Sequence, residues 1–250
     1  MQIITTAIIK GGSGKTTSAL CIAQAAKSTG ARVLGIDLDA QGNFSYAIGA
    51  DISKPGALDM LHGLPAASVI QSTPQGIDAI TAAPELATEQ TTAGSIGRLR
   101  SFLLAIDTAY DLAVIDTPPA IGETTYNALA AATDLIIPMR AAPYDIAGLF
   151  HLITLWEAIH KGSPQIKRKG IIISQYDGRA KIAQHMIGEI ETAAARCHIP
   201  IIGYIRQGVA IQEAQAMRKS LYETAPKSKP AADYKAIYER IRSGNGKTHY

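Results

Sequence analysis

A glycine-rich stretch near the start of the chain constrains the fold most tightly. The sequence IIKGGSGKTT, residues 8–17, joins an apolar run to a segment of helical period. Glycines allow the backbone N–H groups of such a loop, and the helix N-terminus behind it, to approach an anion. The general phosphate-loop pattern is GxxxxGK[ST]. Gly14, Lys15 and Thr16 match its end, whereas Ile9 stands where its first glycine belongs.

The rest of the chain repeats the same order of elements, because short β-branched apolar runs alternate with longer helical segments. This alternation is typical of a mostly parallel sheet covered by helices on both faces. The predicted strands are residues 3–9, 33–37, 77–82, 112–116, 135–139, 170–174 and 201–205. The predicted helices are residues 15–28, 95–107, 125–132, 146–160, 182–196, 211–222 and 234–242. The sequence therefore predicts an α/β fold of the P-loop NTPase type.

One domain is expected for the whole chain, residues 1–250. A length of 250 residues with 47% hydrophobic content is enough for one large, well-buried core, and no linker interrupts it. Residues 225–233 are interpreted as a Pro/Lys loop, and residues 244–250 as a flexible tail. Cys21 and Cys197 have no CxxC partner, so both are interpreted as small apolar residues rather than ligands of a metal or an iron–sulfur cluster.

Several motifs resemble those of one known family. KGGSGKTT, residues 10–17, resembles the deviant Walker A motif of the ParA/MinD ATPases, which carries an extra lysine. VLGIDLDAQGN, residues 33–43, is similar to the family's switch I, and residues 110–138 resemble its Walker B and switch II region. Residues 175–186 and 205–217 resemble its C-terminal stretches. The resemblance spans nearly the whole chain, is closest to the short Soj-type partition branch, and implies slow hydrolysis of ATP with Mg²⁺.

The resemblance also implies the residues of a nucleotide site. Lys10, Lys15 and Asp39 are the predicted catalytic residues, and Asp39 is expected to aid the attack of water on the γ-phosphate. Thr16, Asp37 and Asp116 are the predicted metal-site residues; the alternative for Asp116 is a helix cap before the prolines that follow it. The predicted nucleotide contacts are Lys10, Gly11, Gly12, Ser13, Gly14, Lys15, Thr16, Thr17, Gln175, Arg206 and Gln207.

Two arguments from the residues themselves bear on the carboxylates. Asp116 ends an apolar strand, where a carboxylate can face the phosphate loop and hold Mg²⁺ through water. Asp37 and Asp39 are two residues apart, so in extended chain both carboxylates would point to the same face.

The second lysine of the loop predicts a dimer. Lys15 neutralises one negative charge of Mg-bound ATP, and a further lysine nearby could neutralise the remaining charge. In the family the extra lysine contacts the phosphates of a partner subunit, so Lys10 is interpreted as a residue that acts in trans across an ATP-bound homodimer. The alternative is a solvated lysine at a strand end.

The charge is distributed unevenly, which makes a polyanion a possible partner. Residues 1–125 contain 7 Lys and Arg against 11 Asp and Glu, whereas residues 126–250 contain 17 against 10. By resemblance, Arg179 matches a family position used for non-specific binding of double-stranded DNA, while Ala210 occupies another such position that usually carries arginine. Arg206, Arg218 and Lys219 lie nearby in sequence and can replace that charge. The alternative is a basic face that is merely solvated.

These features lead to one expected function and three alternatives. We expect a DNA-partition ATPase of plasmids or chromosomes, stimulated by a centromere-binding ParB-type protein or adaptor, in the cytoplasm on the nucleoid. A positioning ATPase that distributes a protein cargo would share the same core. A MinD-like protein would carry a C-terminal amphipathic membrane helix, and the final segment lacks a sustained apolar stripe, so no stable membrane association is expected. An electron carrier would need paired cysteines.

Overall fold

The computed structural model describes residues 1–89, 95–142, 145–160, 168–177 and 181–243. Within these ranges the chain forms one sheet of eight strands in the order β3-β4-β2-β5-β1-β6-β7-β8. The strands are β1 (Gln2–Thr6), β2 (Val33–Asp37), β3 (Gln71–Ser72), β4 (Asp78–Ile80), β5 (Leu112–Asp116), β6 (Asp134–Arg140), β7 (Arg168–Tyr176) and β8 (Ile201–Arg206). All neighbours pair in parallel except β3 and β4. This arrangement is the predicted α/β architecture.

Helices cover both faces of the sheet. They are α1 (Lys15–Ser28), α2 (Asn43–Ala47), α3 (Ala57–Leu61), α4 (Ala66–Val69), α5 (Arg98–Ala105), α6 (Glu123–Ala131), α7 (Asp145–His160), α8 (Lys181–Arg196), α9 (Ala210–Ala216), α10 (Leu221–Thr224) and α11 (Lys229–Ser243). Residues of α1, α2, α10 and α11 share one apolar cluster with the sheet, while α3, α5 and α6 share a second and α7 and α8 a third.

The strands supply alternate residues to these clusters because successive side chains point to opposite faces. Ile4 of β1 and Val114 of β5 belong to the α1 cluster, whereas Ile3, Ala113 and Ile115 belong to the cluster of α3, α5 and α6. All these side chains are buried. Burial on both faces explains why the strands appear in the sequence as continuous apolar runs.

Several predicted boundaries were wrong. The first strand ends at Thr6 rather than residue 9, because the chain bends where Lys10 N–H donates to the Ile8 carbonyl at 2.8 Å. The predicted helix 211–222 is two helices, interrupted where Arg218 adopts a positive φ of 54°. The predicted loop 225–233 is helical from Lys229, because Pro230 lies in the first turn of α11, where its missing N–H costs nothing.

Other differences are smaller. The predicted strand 77–82 shortens to β4, the predicted helix 95–107 to α5, and the short elements α2, α3, α4 and β3 were not predicted. Cys21 is buried as expected, but Cys197 is only half-buried. The predicted tail 244–250 lies outside the described residues. Within those residues no helix combines the length and apolar character needed to span a bilayer.

Candidate nucleotide-binding site

Three central strands end together at one edge of the sheet. Thr6 of β1 and Asp37 of β2 are both register partners of Asp116, the last residue of β5. The chain runs from β1 into α1 through residues 7–14, so the predicted phosphate loop lies at the same edge. Ligands of open α/β sheets bind at the carboxyl ends of the strands. This topology brings together the motif residues of three separate sequence stretches.

The phosphate loop has the backbone that an anion cradle requires. Gly12 and Gly14 adopt positive φ values of 73° and 100°, where a Cβ would be strained, and Gly11 and Gly12 are exposed. Ser13 is buried, and its carbonyl accepts a hydrogen bond of 2.8 Å from the Ser174 hydroxyl of β7. The Ser18 N–H donates to the Gly14 carbonyl at 2.8 Å, which starts α1 directly behind the loop. The loop therefore exposes glycine backbone to solvent directly before the start of α1.

Lys15 points back across this loop. Its ammonium donates to the Lys10 carbonyl at 2.7 Å, and its side chain is buried. Burial lowers the pKa of Lys15, and the carboxylates of Asp116, Asp39 and Asp145 oppose that shift. A cation held among three carboxylates at a glycine loop is placed to meet an anionic phosphate.

Asp116 is the most unusual group at this edge. Its side chain is fully buried, and neither carboxylate oxygen has a hydrogen-bond partner among the described residues. Burial raises the pKa of Asp116 well above its usual range, and the neighbouring Asp37 adds to the rise. The Thr16 hydroxyl and Lys15 oppose this rise, but neither forms a hydrogen bond with an Asp116 carboxylate oxygen. An orphaned buried carboxylate costs free energy unless a proton or a cation satisfies it. Asp116 therefore fits a site for a hydrated divalent cation.

Asp37 and Asp39 have different surroundings. Asp37 Oδ2 accepts from the Ser45 N–H and hydroxyl, both at 2.8 Å, and its Oδ1 accepts from the Asp39 N–H at 3.1 Å. Burial raises the pKa of Asp37 to about 6. Strand β2 ends at Asp37 and Asp39 lies in the bend that follows, so the backbone is not extended through both residues. Asp37 is fully buried, and the Asp39 carboxylate adds to the rise in its pKa. Asp39 is half-buried instead, and its Oδ1 accepts from the Gln41 N–H at 3.1 Å.

Lys10 has a partner that the sequence did not indicate. Its ammonium forms a short ion pair with Asp145 Oδ1, at the first residue of α7. Asp145 is fully buried, and its Oδ2 accepts from the Arg140 N–H at 2.6 Å, whereas the Lys10 side chain is 22% exposed. The alternative of a purely solvated Lys10 is therefore wrong. Within this single chain the Lys10 ammonium is held by its own subunit.

The predicted nucleotide contacts that lie outside the phosphate loop line one cavity. It holds about 650 Å³, and Gly14 and Thr17 connect it to the phosphate loop. Gln175, Arg206 and Gln207, all predicted from resemblance, lie in its wall together with Tyr176 and Gly208. Tyr234 of α11 also lines it and bonds to the Ser18 hydroxyl at 3.1 Å, a contribution that the sequence did not reveal. The cavity has the size of a small-ligand site.

A groove of larger volume lies elsewhere in the fold, but it lacks the features of a phosphate and metal site. It holds about 830 Å³ between α3, α4 and α5, and its lining is mainly apolar, with Leu64, Ile96 and Phe102 beside Arg98 and Arg100. No glycine-rich anion cradle or buried carboxylate borders it. The smaller cavity beside the phosphate loop is therefore the candidate nucleotide site.

The structure describes three of the four predicted DNA-binding residues, and each of the three has a partner within the chain. The Arg206 guanidinium bonds to the Asp233 carboxylate at 2.6–3.1 Å, and Lys219 pairs with Glu223 at 3.1 Å. Arg218 Nε donates to the Tyr46 carbonyl at 3.0 Å. Arg179 lies outside the described residues, and Ala210 begins α9.

The fold and the phosphate loop define a P-loop NTPase. A family described as "AAA domain" matches residues 1–168. The chromosome-partitioning ATPase Soj of Thermus thermophilus is 32% identical over 235 residues, which cover 93% of this chain and 92% of that protein. The chain belongs to the ParA/MinD family of ATPases, close to the Soj-type partition ATPases, as the motifs predicted.

Solved structures agree with this fold. McdA from Cyanothece in an ATP complex superposes with a TM-score of 0.84 at 22% identity, over 100% of this chain and 98% of that one. Cobyrinic acid a,c-diamide synthase from Mycobacterium smegmatis, with an ATP analogue and magnesium bound, gives 0.80 at 24% identity, over 100% and 99%. At such identities the likeness confirms the predicted fold class alone.

Proposed function

We propose that this protein is a partition ATPase that dimerises with ATP, binds DNA non-specifically, and hydrolyses ATP slowly until a ParB-type partner stimulates it. The observation that carries the proposal is the orphaned carboxylate of Asp116 facing a glycine loop that holds Lys15. Support for the partition role comes from the Soj relative, which is named a chromosome-partitioning ATPase.

ATP and Mg²⁺ are the cofactors of this proposal. Asp116 and Thr16 would hold the hydrated cation, with Asp37 beside them, because Asp116 and Asp37 end neighbouring strands and Thr16 lies next to Asp116 at the start of α1. The ion would neutralise charge on the β and γ phosphates during phosphoryl transfer. The loop N–H groups and Lys15 orient the phosphates, while the cavity around Gln175, Arg206 and Gln207 receives the base.

Asp39 and Lys10 are the residues we assign to hydrolysis. Asp39 is half-buried near Lys15, where its carboxylate is placed to orient the attacking water. Lys10 is assigned to the partner subunit's nucleotide by its match to the extra lysine of the ParA/MinD motif, and within this chain its ammonium pairs with Asp145. The trans contact requires that Lys10 exchange the carboxylate of Asp145 for a phosphate. ATP therefore links dimerisation to catalysis, and hydrolysis separates the subunits.

Mixing two inactive variants tests the trans role directly. Lys10→Ala subunits keep Asp39, and Asp39→Ala subunits keep Lys10, so a mixed dimer contains one complete site only if Lys10 acts across the interface. Equal amounts mixed before ATP is added should recover about a quarter of wild-type hydrolysis, because half of the dimers are mixed and each has one of two sites active. Phosphate release is the measured quantity.

A matched control separates catalysis from folding. Lys10→Ala combined with Asp145→Asn removes both members of the ion pair and should complement Asp39→Ala equally well. Recovery by this mixture but not by the Lys10→Ala mixture would show that the single variant is merely unstable. No recovery in either mixture, with dimers present, would refute trans catalysis by Lys10.

A further inference from the structure

The short helix α2 is attached at both ends to residues of proposed function. At its start, the Gly42 N–H donates to the Asp39 carbonyl at 2.8 Å. The Ser45 N–H and hydroxyl both donate to Asp37 Oδ2, so the proposed metal-site carboxylate also holds the helix. Any ligand that binds the Asp37 carboxylate competes with these two hydrogen bonds from Ser45.

At its other end α2 holds Arg218, one of the residues predicted to contact DNA. Arg218 Nε donates to the Tyr46 carbonyl at 3.0 Å, and the guanidinium lies 4.8 Å from the centre of the Tyr46 ring. The Gln75 amide donates to both the Ala47 carbonyl, at 2.7 Å, and the Arg218 carbonyl, at 3.1 Å. The segment between α9 and α10 is thus fastened to the C-terminal end of α2.

The fastening extends into the core. Gln24 of α1 is buried, and its amide donates to Gln75 Oε1 at 2.8 Å while its own Oε1 accepts from the Leu221 N–H at 3.1 Å. Arg218 also adopts a positive φ of 54°, which is unfavourable for a side chain of this size. Internal contacts therefore hold Arg218 in a conformation that its backbone does not favour.

We propose that the Tyr46–Arg218 contact is a nucleotide-controlled restraint on DNA binding. Without Mg-nucleotide, the Asp37 carboxylate holds Ser45 and α2 in place, and the carbonyl and ring of Tyr46 contact the Arg218 guanidinium. Filling the site draws the Asp37 carboxylate away from Ser45, α2 shifts, and Arg218 is released to a DNA phosphate. The inference rests on the proposed function, because it specifies how the DNA-binding role of that ATPase is regulated.

The size of the restraint can be bounded. A cation–π contact at an exposed site contributes about 0.5–1 kcal/mol, which corresponds to a two- to fivefold change in an equilibrium constant. Tyr46 is 58% exposed, so removing its ring does not open the core. Tyr46→Ala should therefore bind DNA two- to fivefold more tightly than wild type in the absence of nucleotide, and no more tightly with a non-hydrolysable ATP analogue and Mg²⁺.

The experiment measures fluorescence anisotropy of a labelled DNA duplex of arbitrary sequence, without nucleotide and with the Mg-bound ATP analogue. Tyr46→Phe is the matched control: it keeps the ring and the backbone carbonyl, and should behave as wild type in both states. Tyr46→Ala with Arg218→Ala should lose the gain seen with Tyr46→Ala alone.

Three results would overturn the proposal: no gain in the absence of nucleotide, an equal gain with and without the analogue, or a gain that persists without Arg218. Each leaves ATP-dependent DNA binding by wild type intact and refutes only the restraint. If wild type binds no DNA in any nucleotide state, the DNA role in the proposed function fails as well, and the two failures are thereby distinguished.

Discussion

The ion pair between Lys10 and Asp145 predicts that Lys10→Ala affects folding as well as catalysis. Asp145 is fully buried, so the substitution leaves a carboxylate in the interior with the Arg140 N–H as its remaining described partner. Removing one member of a fully buried pair costs about 3–5 kcal/mol. Lys10 is 22% exposed, so solvent screening reduces the expected loss to about 2–3 kcal/mol.

Asp145→Asn relieves this cost because the amide oxygen still accepts from the Arg140 N–H and no charge is stranded. We therefore expect the double variant, Lys10→Ala with Asp145→Asn, to regain at least half of the lost stability. The assay is unfolding of the nucleotide-free protein by urea and by heat. A loss of about 2–3 kcal/mol lowers Tm by about 5–10 °C in a chain of this size.

Two outcomes would refute the reasoning. If Lys10→Ala unfolds at the wild-type temperature, the ion pair does not stabilise the folded chain. If the double variant is as unstable as Lys10→Ala, the loss does not come from the stranded Asp145 carboxylate. Nucleotide must be absent in these measurements, because a ligand that binds only the folded state would mask the difference.

Three further predictions concern the phosphate loop, the metal site and DNA. Lys15→Ala should abolish ATP binding by calorimetry, and unchanged affinity would disprove the site assignment. The pKa of Asp37 is raised to about 6, so at mildly acidic pH the folded chain keeps a proton there that the unfolded chain has lost. The protonated carboxyl therefore stabilises the nucleotide-free protein below pH 6, and this stabilisation is lost as the pH rises through 6. The same proton competes with the cation, so stabilisation by Mg-ATP should be smaller at pH 5.5 than at pH 7.5; equal Tm shifts would contradict this. DNA affinity should fall steeply with salt, with a log–log slope reduced by about 1 in Arg179→Ala; salt-independent binding would contradict a phosphate contact.

The fold could be predicted where the apolar runs are long and clearly bounded. The bounds of α1, β2 and β5 agree with the prediction residue for residue, because a glycine loop or an aspartate marks the end of each run. Residues 43–72 were missed because four- or five-residue helices are shorter than the window in which helical period becomes visible. The break before α10 had a signal: the Ser220 side chain accepts from the Tyr222 N–H, and Glu223 follows three residues later.

The site was predicted only as far as its local motifs extend. Lys15, Thr16, Asp37 and Asp116 belong to recognisable stretches, and the sheet order places them together. Asp145 and Ser174 were missed because more than 130 residues separate each from the loop residue that it contacts. Asp145 lies five residues after the end of β6 and Ser174 two residues before the end of β7, so a search for polar residues near the carboxyl end of every parallel strand would have found them.

The central claim is that ATP joins two subunits and that the joined form binds DNA. Sedimentation velocity of Asp39→Ala tests it most directly, because this variant should bind ATP and hydrolyse little of it. We predict a monomer without nucleotide, a dimer with Mg-ATP, and co-sedimentation of that dimer with DNA of arbitrary sequence. A monomer at saturating Mg-ATP, or a dimer that leaves DNA free at low salt, would contradict the account.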